Sequence, residues 1–580
     1  MKRRLLLGCV LGISLLPAYA QSPGGAAATQ TDGPPAAQAG ADPAQDDAAS
    51  SAALIAQGDV QVGLGNLAAA LARYRAALEM DERLAQADPA NTRWELARSV
   101  AHGRIGDVQR AQGDSAAALA SYRAEVAIAE RLATTDPGNA GWQHELSLGQ
   151  VRIGDVLMAR GDLAGAFASY RASLAIRERL PQADPGNTEW QHGLSLSHER
   201  IGEVQARQND LAAALASYRA ALEIRERMAQ SQPLHPVWQR DLAVALSKIG
   251  DVQMKQGELS AALASYRAAL EISERLAGAN PANALLQRDL ATWYERVGDV
   301  QGTRGEISAS LASHTAALEI RERLATTDPG NVGWQGELAA SHARIGDIQA
   351  AQGDFPAALA SYRTVLAIEE RLAKADPGDP GVQRGLSVAQ IKMGNMHMRQ
   401  RDPAAALASY RDALAIRERL ARADPGNAGW QSDLAAVHER IGDVRRVQRE
   451  LSAALASYRA SLAIHEHLAQ GDPRNAHWQR DLAVTYNRIG DVQRAAGDQS
   501  AALVSYQASL AIRERLVRAD PSNAGWQRSL IVVYSRLNEM TGDKAYAAKA
   551  LDIALSMQQR GVLRPQDAWF VEDLKQRAGK

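Results

Sequence analysis

The chain of 580 residues carries 65 Lys and Arg against 66 Asp and Glu, a formal net charge of −1, with both signs mixed along its length. That balance leaves no electrostatic footprint for nucleic acid or for an anionic membrane surface. Apolar residues make up 46% of the chain, yet Phe occurs three times and alanine supplies much of the total, which predicts helices packed at close approach.

From the N-terminus, Lys2, Arg3 and Arg4 precede an apolar stretch from Leu5 to Leu16 and the small-x-small triplet Ala18-Tyr19-Ala20. That layout predicts a signal peptide over residues 1–20 and export to the periplasm or the medium. The stretch is shorter than the ~20 residues that span a bilayer, so membrane insertion is not expected. A lipoprotein cleavage at Cys9 would leave too short an apolar region, and with Cys9 removed the mature chain holds no thiol for a disulfide. Residues 21–50, almost all Ala, Gly, Pro, Gln, Asp and Thr, predict a disordered leader.

Residues 51–522 repeat one pattern at a fixed spacing of 48. A glycine followed by an acidic or amide residue recurs from Gly58 and Gly106 through Gly490, and a proline follows each glycine 31 residues later, from Pro89 to Pro521. A period of this length predicts a solenoid, whose repeats bury their apolar faces against their neighbours and present an extended surface. In the tenth repeat, Asn475 predicts a helix N-cap, and Trp478, Leu482, Tyr486, Ile489 and Val492 fall at helical spacing. Gly497 then suits a helix end and Asp498 the cap of a second helix carrying Ala502, Leu503, Tyr506, Leu510 and Leu516. The expectation is an all-α fold, an α-solenoid superhelix of ten antiparallel helical hairpins, termed here the A and B helices. Residues 523–580 decay from the rule: Asn538 replaces the glycine, and a segment from Pro565 to Arg577 with Trp569, Phe570 and Leu574 on one side predicts a capping helix.

Tyr486, Ile489 and Gly490 in the A helix, with Ala502, Tyr506, Ser509 and Glu514 in the B helix, resemble the tetratricopeptide repeat pattern. The unit is longer than that family's usual 34 residues by about four helical turns, which keeps the apolar stripe in phase. It is similar in this respect to the long-helix arrays of kinesin light chains. Gln493 occupies a position where the family has a bulky residue, and its column is mostly Gln. The resemblance implies a scaffold that holds a protein or peptide in a concave groove lined by A helices, with no catalysis, cofactor or metal. A structural spacer, or a self-associating array without a specific ligand, is the alternative.

No catalytic motif interrupts the repeats. His102, His198, His342 and His438 share a column with Tyr294, Tyr486 and Tyr534, so they read as packing residues. Met393, Met396, His397 and Met398 form a soft-ligand cluster, but Met393 and Met396 stand in core columns. An acidic column follows the glycines and includes Asp443 and Asp491; a basic column three residues earlier includes Arg440 and Arg488, a spacing that predicts ion pairs within each A helix. The family's carboxylate-clamp grooves place Asn at the acidic position; Asn395 alone matches, which disfavours that mode. Specificity is expected in columns that vary, among them Glu439 and Asn487 three residues before the glycine. Arg399, Arg445, Arg446, Arg449 and Arg494 make the late repeats basic, which points to an acidic partner segment.

Overall fold

The computed structural model describes residues 43–184, 186–564 and 567–579. The expected signal peptide, and the leader up to residue 42, lie outside the described residues. The rest of the leader differs from expectation: a helix, Pro43–Gly63, begins inside it. Proline suits a first helical position, and the Ala, Gln and Asp residues that follow cost a helix little. Every regular element among the described residues is helical.

The hairpin forms as the sequence predicts. In the tenth repeat the A helix is Ala476–Ala495 and the B helix Gln499–Ala519. Asn475 caps the first by accepting from the amides of His477 and Trp478, and Asp498 caps the second by accepting from Ala501. Between them the chain must turn left-handed, and Gly497 does so at φ 85°. In three repeats that position is not glycine: Asn209, Arg401 and Arg449 hold φ of 63°, 60° and 61°. For the two arginines this costs about 1 kcal/mol each.

The helices divide into two compact bodies, one ending at Ala317 and the other beginning at Leu318. Within the first body the helices up to Ala284–Thr303, and within the second those from Val332–Gln352, each pack on the next in sequence. One aromatic column organises both. Tyr74, Tyr122, Tyr170 and Tyr266 in the first body, and Tyr362, Tyr410, Tyr458 and Tyr506 in the second, are nearly fully buried. Each ring lies flat on the glycine of its own A helix: a Cβ added at Gly106 or Gly442 would come within 2.5 or 2.6 Å of the ring. The glycine column is therefore a slot cut for a ring, and burying each ring contributes about 2 kcal/mol.

The glutamine column also acquires a role. Ser121, Ser217, Ser265, Ser361 and Ser505 of the B helices donate to Gln109, Gln205, Gln253, Gln349 and Gln493 at 2.7–2.8 Å. Where the tetratricopeptide pattern carries a bulky residue, these five hairpins carry a hydrogen bond.

One B helix is broken. In the third repeat it ends at Arg177 and resumes as Leu180–Ala183, because Pro181 has no amide hydrogen to give the Arg177 carbonyl. At the C-terminal end, Ala524–Thr541 and Lys544–Gln559 form a shortened hairpin through Gly542, which is left-handed at φ 70°. The final helix, Trp569–Ala578, packs on it through Val571 and Leu574. Of the three residues expected on the packed side, Phe570 and Leu574 pack there and Trp569 is 60% exposed.

Candidate binding groove

Each column tyrosine does more than fill space. Its hydroxyl donates to the acid that follows the glycine: Tyr74 to Asp59 (2.7 Å), Tyr122 to Asp107 (2.8 Å), Tyr170 to Asp155 (2.7 Å), Tyr458 to Asp443 (2.7 Å) and Tyr506 to Asp491 (2.7 Å). Burial, together with the adjacent carboxylate, pushes the hydroxyls of Tyr122, Tyr170 and Tyr458 above their ordinary pKa. The same acids take a cation from the next repeat. Arg104 reaches Asp59 (3.6 Å), Arg200 reaches Asp155 (3.5 Å), Arg296 reaches Asp251 (3.2 Å), Lys392 reaches Asp347 (2.5 Å), Arg488 reaches Asp443 (2.5 Å) and Arg536 reaches Asp491 (2.5 Å).

This corrects the expected pairing. The cations were expected to meet acids three residues away on their own helix; they meet acids 45 residues earlier, on the neighbouring A helix. The within-helix contact does close at Arg200 and Glu203 (3.1 Å), yet Glu203 also holds Lys248 of the next repeat at 2.6 Å. Geometry decides this: the acid is already turned toward its tyrosine, which sets its carboxylate at the inter-helix seam, where at Asp59, Asp155, Asp251 and Asp491 the tyrosine and the cation share one oxygen and at Asp443 they take one each.

The ladder breaks once in the second body. Tyr410 donates to Asn395 (2.7 Å), so the hairpin keeps its hydrogen bond but loses its carboxylate. Arg440, which stands where the other cations meet an acid, therefore has no counter-ion among the described residues and is exposed. It lines a pocket of about 900 Å³ with Asp347, Lys392, Asn395, Met398, Arg399 and Asp443. Arg399 is exposed and lies over the Phe355 ring at 5.9 Å. Lys392 is committed to Asp347 and Asp443 to Arg488, so Arg399 and Arg440 are the cations this pocket offers.

The pocket brings together two of the residues picked from sequence, Arg399 and Asp443. Asp491 sits one repeat further on, held by Tyr506 and Arg536. Arg445 turns to Glu450 at the start of its own B helix and forms an ion pair there. Arg446 is exposed, and Arg494 pairs with Glu539 at 3.5 Å. Two expectations fail. Asn487 is 8% exposed, with its Oδ1 unpartnered, and Glu439 is largely buried, accepting from Thr485 at 2.6 Å. A position three residues before the glycine shares the glycine's face, so that column lies in the packing between helices. Sequence reading placed Arg440 in the ion-pairing basic column and not among the groove residues, although Asn395 in an acidic column was a usable signal once the 45-residue register is known.

The histidine and methionine columns behave as packing. Burial lowers the pKa of His102, His198, His342 and His438, and Met393 and Met396 are 7% and 4% exposed.

A family model described as tetratricopeptide repeat matches residues 242–283 and 388–424. A search of curated proteins returns no match. Among solved structures, the chain is similar to BtubC (BKLC) from P. vanneervenii, with 18% identity over 46% of this chain and 93% of that one and a TM-score of 0.36. It is similar to the apo form of RapI, with 12% identity over 75% and 96% of the two chains and a TM-score of 0.44. The C-terminal part of a repeat-containing protein from Cytophaga hutchinsonii aligns at 14% identity over 57% and 98%, with a TM-score of 0.32.

Proposed function

We propose that the chain, of which residues 242–283 and 388–424 match the tetratricopeptide repeat model, is a non-catalytic scaffold, exported from the cytoplasm, that holds an acidic segment of another protein on its A-helix face. The observation that carries this reading is the break in the charge ladder at Asn395. Arg104, Arg200, Arg296, Lys392, Arg488 and Arg536, which share the column of Arg440, each reach an acid of the preceding repeat; here Arg440 is left over beside Arg399 in a pocket wide enough for side chains. A carboxylate from a partner supplies the charge that Asn395 lacks. Among the described residues no helix is long and apolar enough to cross a membrane.

Replacing Arg399 and Arg440 together with Glu tests the site. Exposed charges move stability by about 0.5 kcal/mol or less, so the far-UV circular dichroism should be unchanged. Capture of partner from an envelope extract by the immobilised chain should fall severely, because like charges across an interface are costly, and wild-type capture should weaken as salt rises. Salt-insensitive capture that survives both substitutions refutes the site. The same substitution at Arg446 and Arg494 measures how far the segment extends along the late repeats. Export is tested by mass spectrometry of the native protein, where the expected N-terminus is Gln21; an intact Met1 in the cytoplasm refutes it.

A further inference from the structure

A second column, of mixed residues that include Ala129, Ser273 and His465, runs where the end of each B helix meets the next A helix; Arg177 and Arg513 stand in it bonded to serines rather than to an acid. Arg225, Arg321 and Arg417 stand in it, 2%, 7% and 2% exposed. Each is matched by an acid from an A helix: Arg225 by Glu199 (2.6 Å), Arg321 by Glu337 (3.1 Å) and Arg417 by Asp433. Glu337 and Asp433 occupy the same position of their A helices, nine residues before the glycine.

In the repeat that leads to Asn395 the column residue is an acid, as Asp81 is in the first repeat. The B-helix residue is Glu369, and the A-helix position facing it is Gly385. A Cβ on Gly385 would lie 2.5 Å from Glu369 Oε2, so the carboxylate rests against the helix at the point from which an acid projects in the neighbouring repeats. No cation answers it. Arg384, its neighbour in sequence, reaches Asp433 at 2.9 Å, and Arg417 is committed to the same acid. Among the described residues Glu369 makes no ion pair or hydrogen bond, it remains partly exposed, and burial holds its pKa above the ordinary carboxylate value. The one A helix that lacks an acid opposite Arg440 thus also leaves an acid uncovered at its other end.

Resting on the reading that an acidic segment docks at Arg399 and Arg440, we propose that Glu369 is the seat for a basic side chain of that same segment, so that the groove reads a cation and a carboxylate at a fixed separation. Gly385 and Asn395 are ten residues apart on one helix, about 15 Å along its axis. An extended peptide advances about 3.3 Å per residue, so the two charged side chains stand four or five residues apart. Both seats are partly desolvated, where an ion pair is worth more than at an open surface.

The test is selection of a random twelve-residue peptide library, displayed on phage, against the full chain and two variants, Glu369→Gln and the pair Arg399→Gln with Arg440→Gln. Circular dichroism serves as the folding control. Wild-type selection should enrich peptides with Lys or Arg four or five positions from Asp or Glu at least tenfold over the input library. Glu369→Gln should return the basic position to its input frequency while the acidic one stays enriched. The arginine pair should lose the acidic position. Peptides rich in acid alone, or basic enrichment that persists in Glu369→Gln, overturn the cation seat and leave the acidic-segment reading standing. Absence of acidic enrichment in the wild type overturns both.

Discussion

Replacing Gly442 with alanine should destabilise the chain, and the same substitution at Gly336 should not. Both glycines lie inside A helices, in Ala428–Val447 and Val332–Gln352. On helix propensity alone each change to alanine gains about 1 kcal/mol. At Gly336 nothing lies within 4 Å of the new Cβ, so that gain should stand. At Gly442 the Cβ would meet Tyr458 at 2.6 Å, against a ring with 0% exposure that has nowhere to retreat. Overpacking of this kind costs about 1–3 kcal/mol, and displacing the ring also strains its 2.7 Å bond to Asp443, worth about 1.5 kcal/mol to a charged acceptor. The net is a loss of about 2 kcal/mol. Because long repeat arrays lose two-state cooperativity, the readout is hydrogen exchange of peptides spanning residues 428–471, supported by thermal melts. Unchanged or slower exchange in Gly442→Ala would refute the view that the glycine column exists to receive the ring.

A double-mutant cycle on Asp443 and Arg488 should give a coupling of about 0.5–1 kcal/mol by chemical denaturation, while a cycle on Asp443 and Arg440, three apart on one helix, should give none. The reverse ranking would restore the within-helix pairing. Arg449→Gly should raise the melting temperature, because relief of a left-handed arginine, about 1 kcal/mol, exceeds the backbone entropy that glycine adds to the unfolded chain; a lowered melting temperature would refute it. His144 has its pKa depressed to about 4 by burial, then by Arg177 and Arg152. The unfolded chain, titrating near 6.5, takes up that proton first, so the stabilisation is complete above about pH 6.5 and is lost as pH falls toward 4, by on the order of 2 kcal/mol. Replacing His144 with Gln should flatten that part of a stability-versus-pH curve, and an unaltered slope would refute the assignment.

The hairpins, their caps and their turns were legible because they depend on local chemistry: Asn475, Gly497 and Asp498 act where their side chains and backbone preferences put them. The groove was less legible because its logic is non-local. Arg440 and Asp443 sit three residues apart in the chain, and only the placement of Tyr458 shows that Asp443 faces the next repeat. Asn487 failed for a related reason: variability in a column was taken for exposure, whereas the side chain lies in the seam between helices. Pro181 broke a helix at a point where the repeat pattern alone ran straight through it.

The ladder also has a direction in time. Asp443 finds its tyrosine 15 residues later in the chain but its cation, Arg488, 45 residues later, so a ribosome delivers the two partners in sequence. At about 5–20 residues per second the cation emerges seconds after the acid, whereas helices form in about a microsecond. A newly made hairpin therefore closes on its own hydroxyl first and presents its carboxylate, still without a cation, as the docking edge for the hairpin that follows. Growth of this kind gives the nascent chain a single correct neighbour at each step, even though ten nearly identical repeats offer many wrong ones.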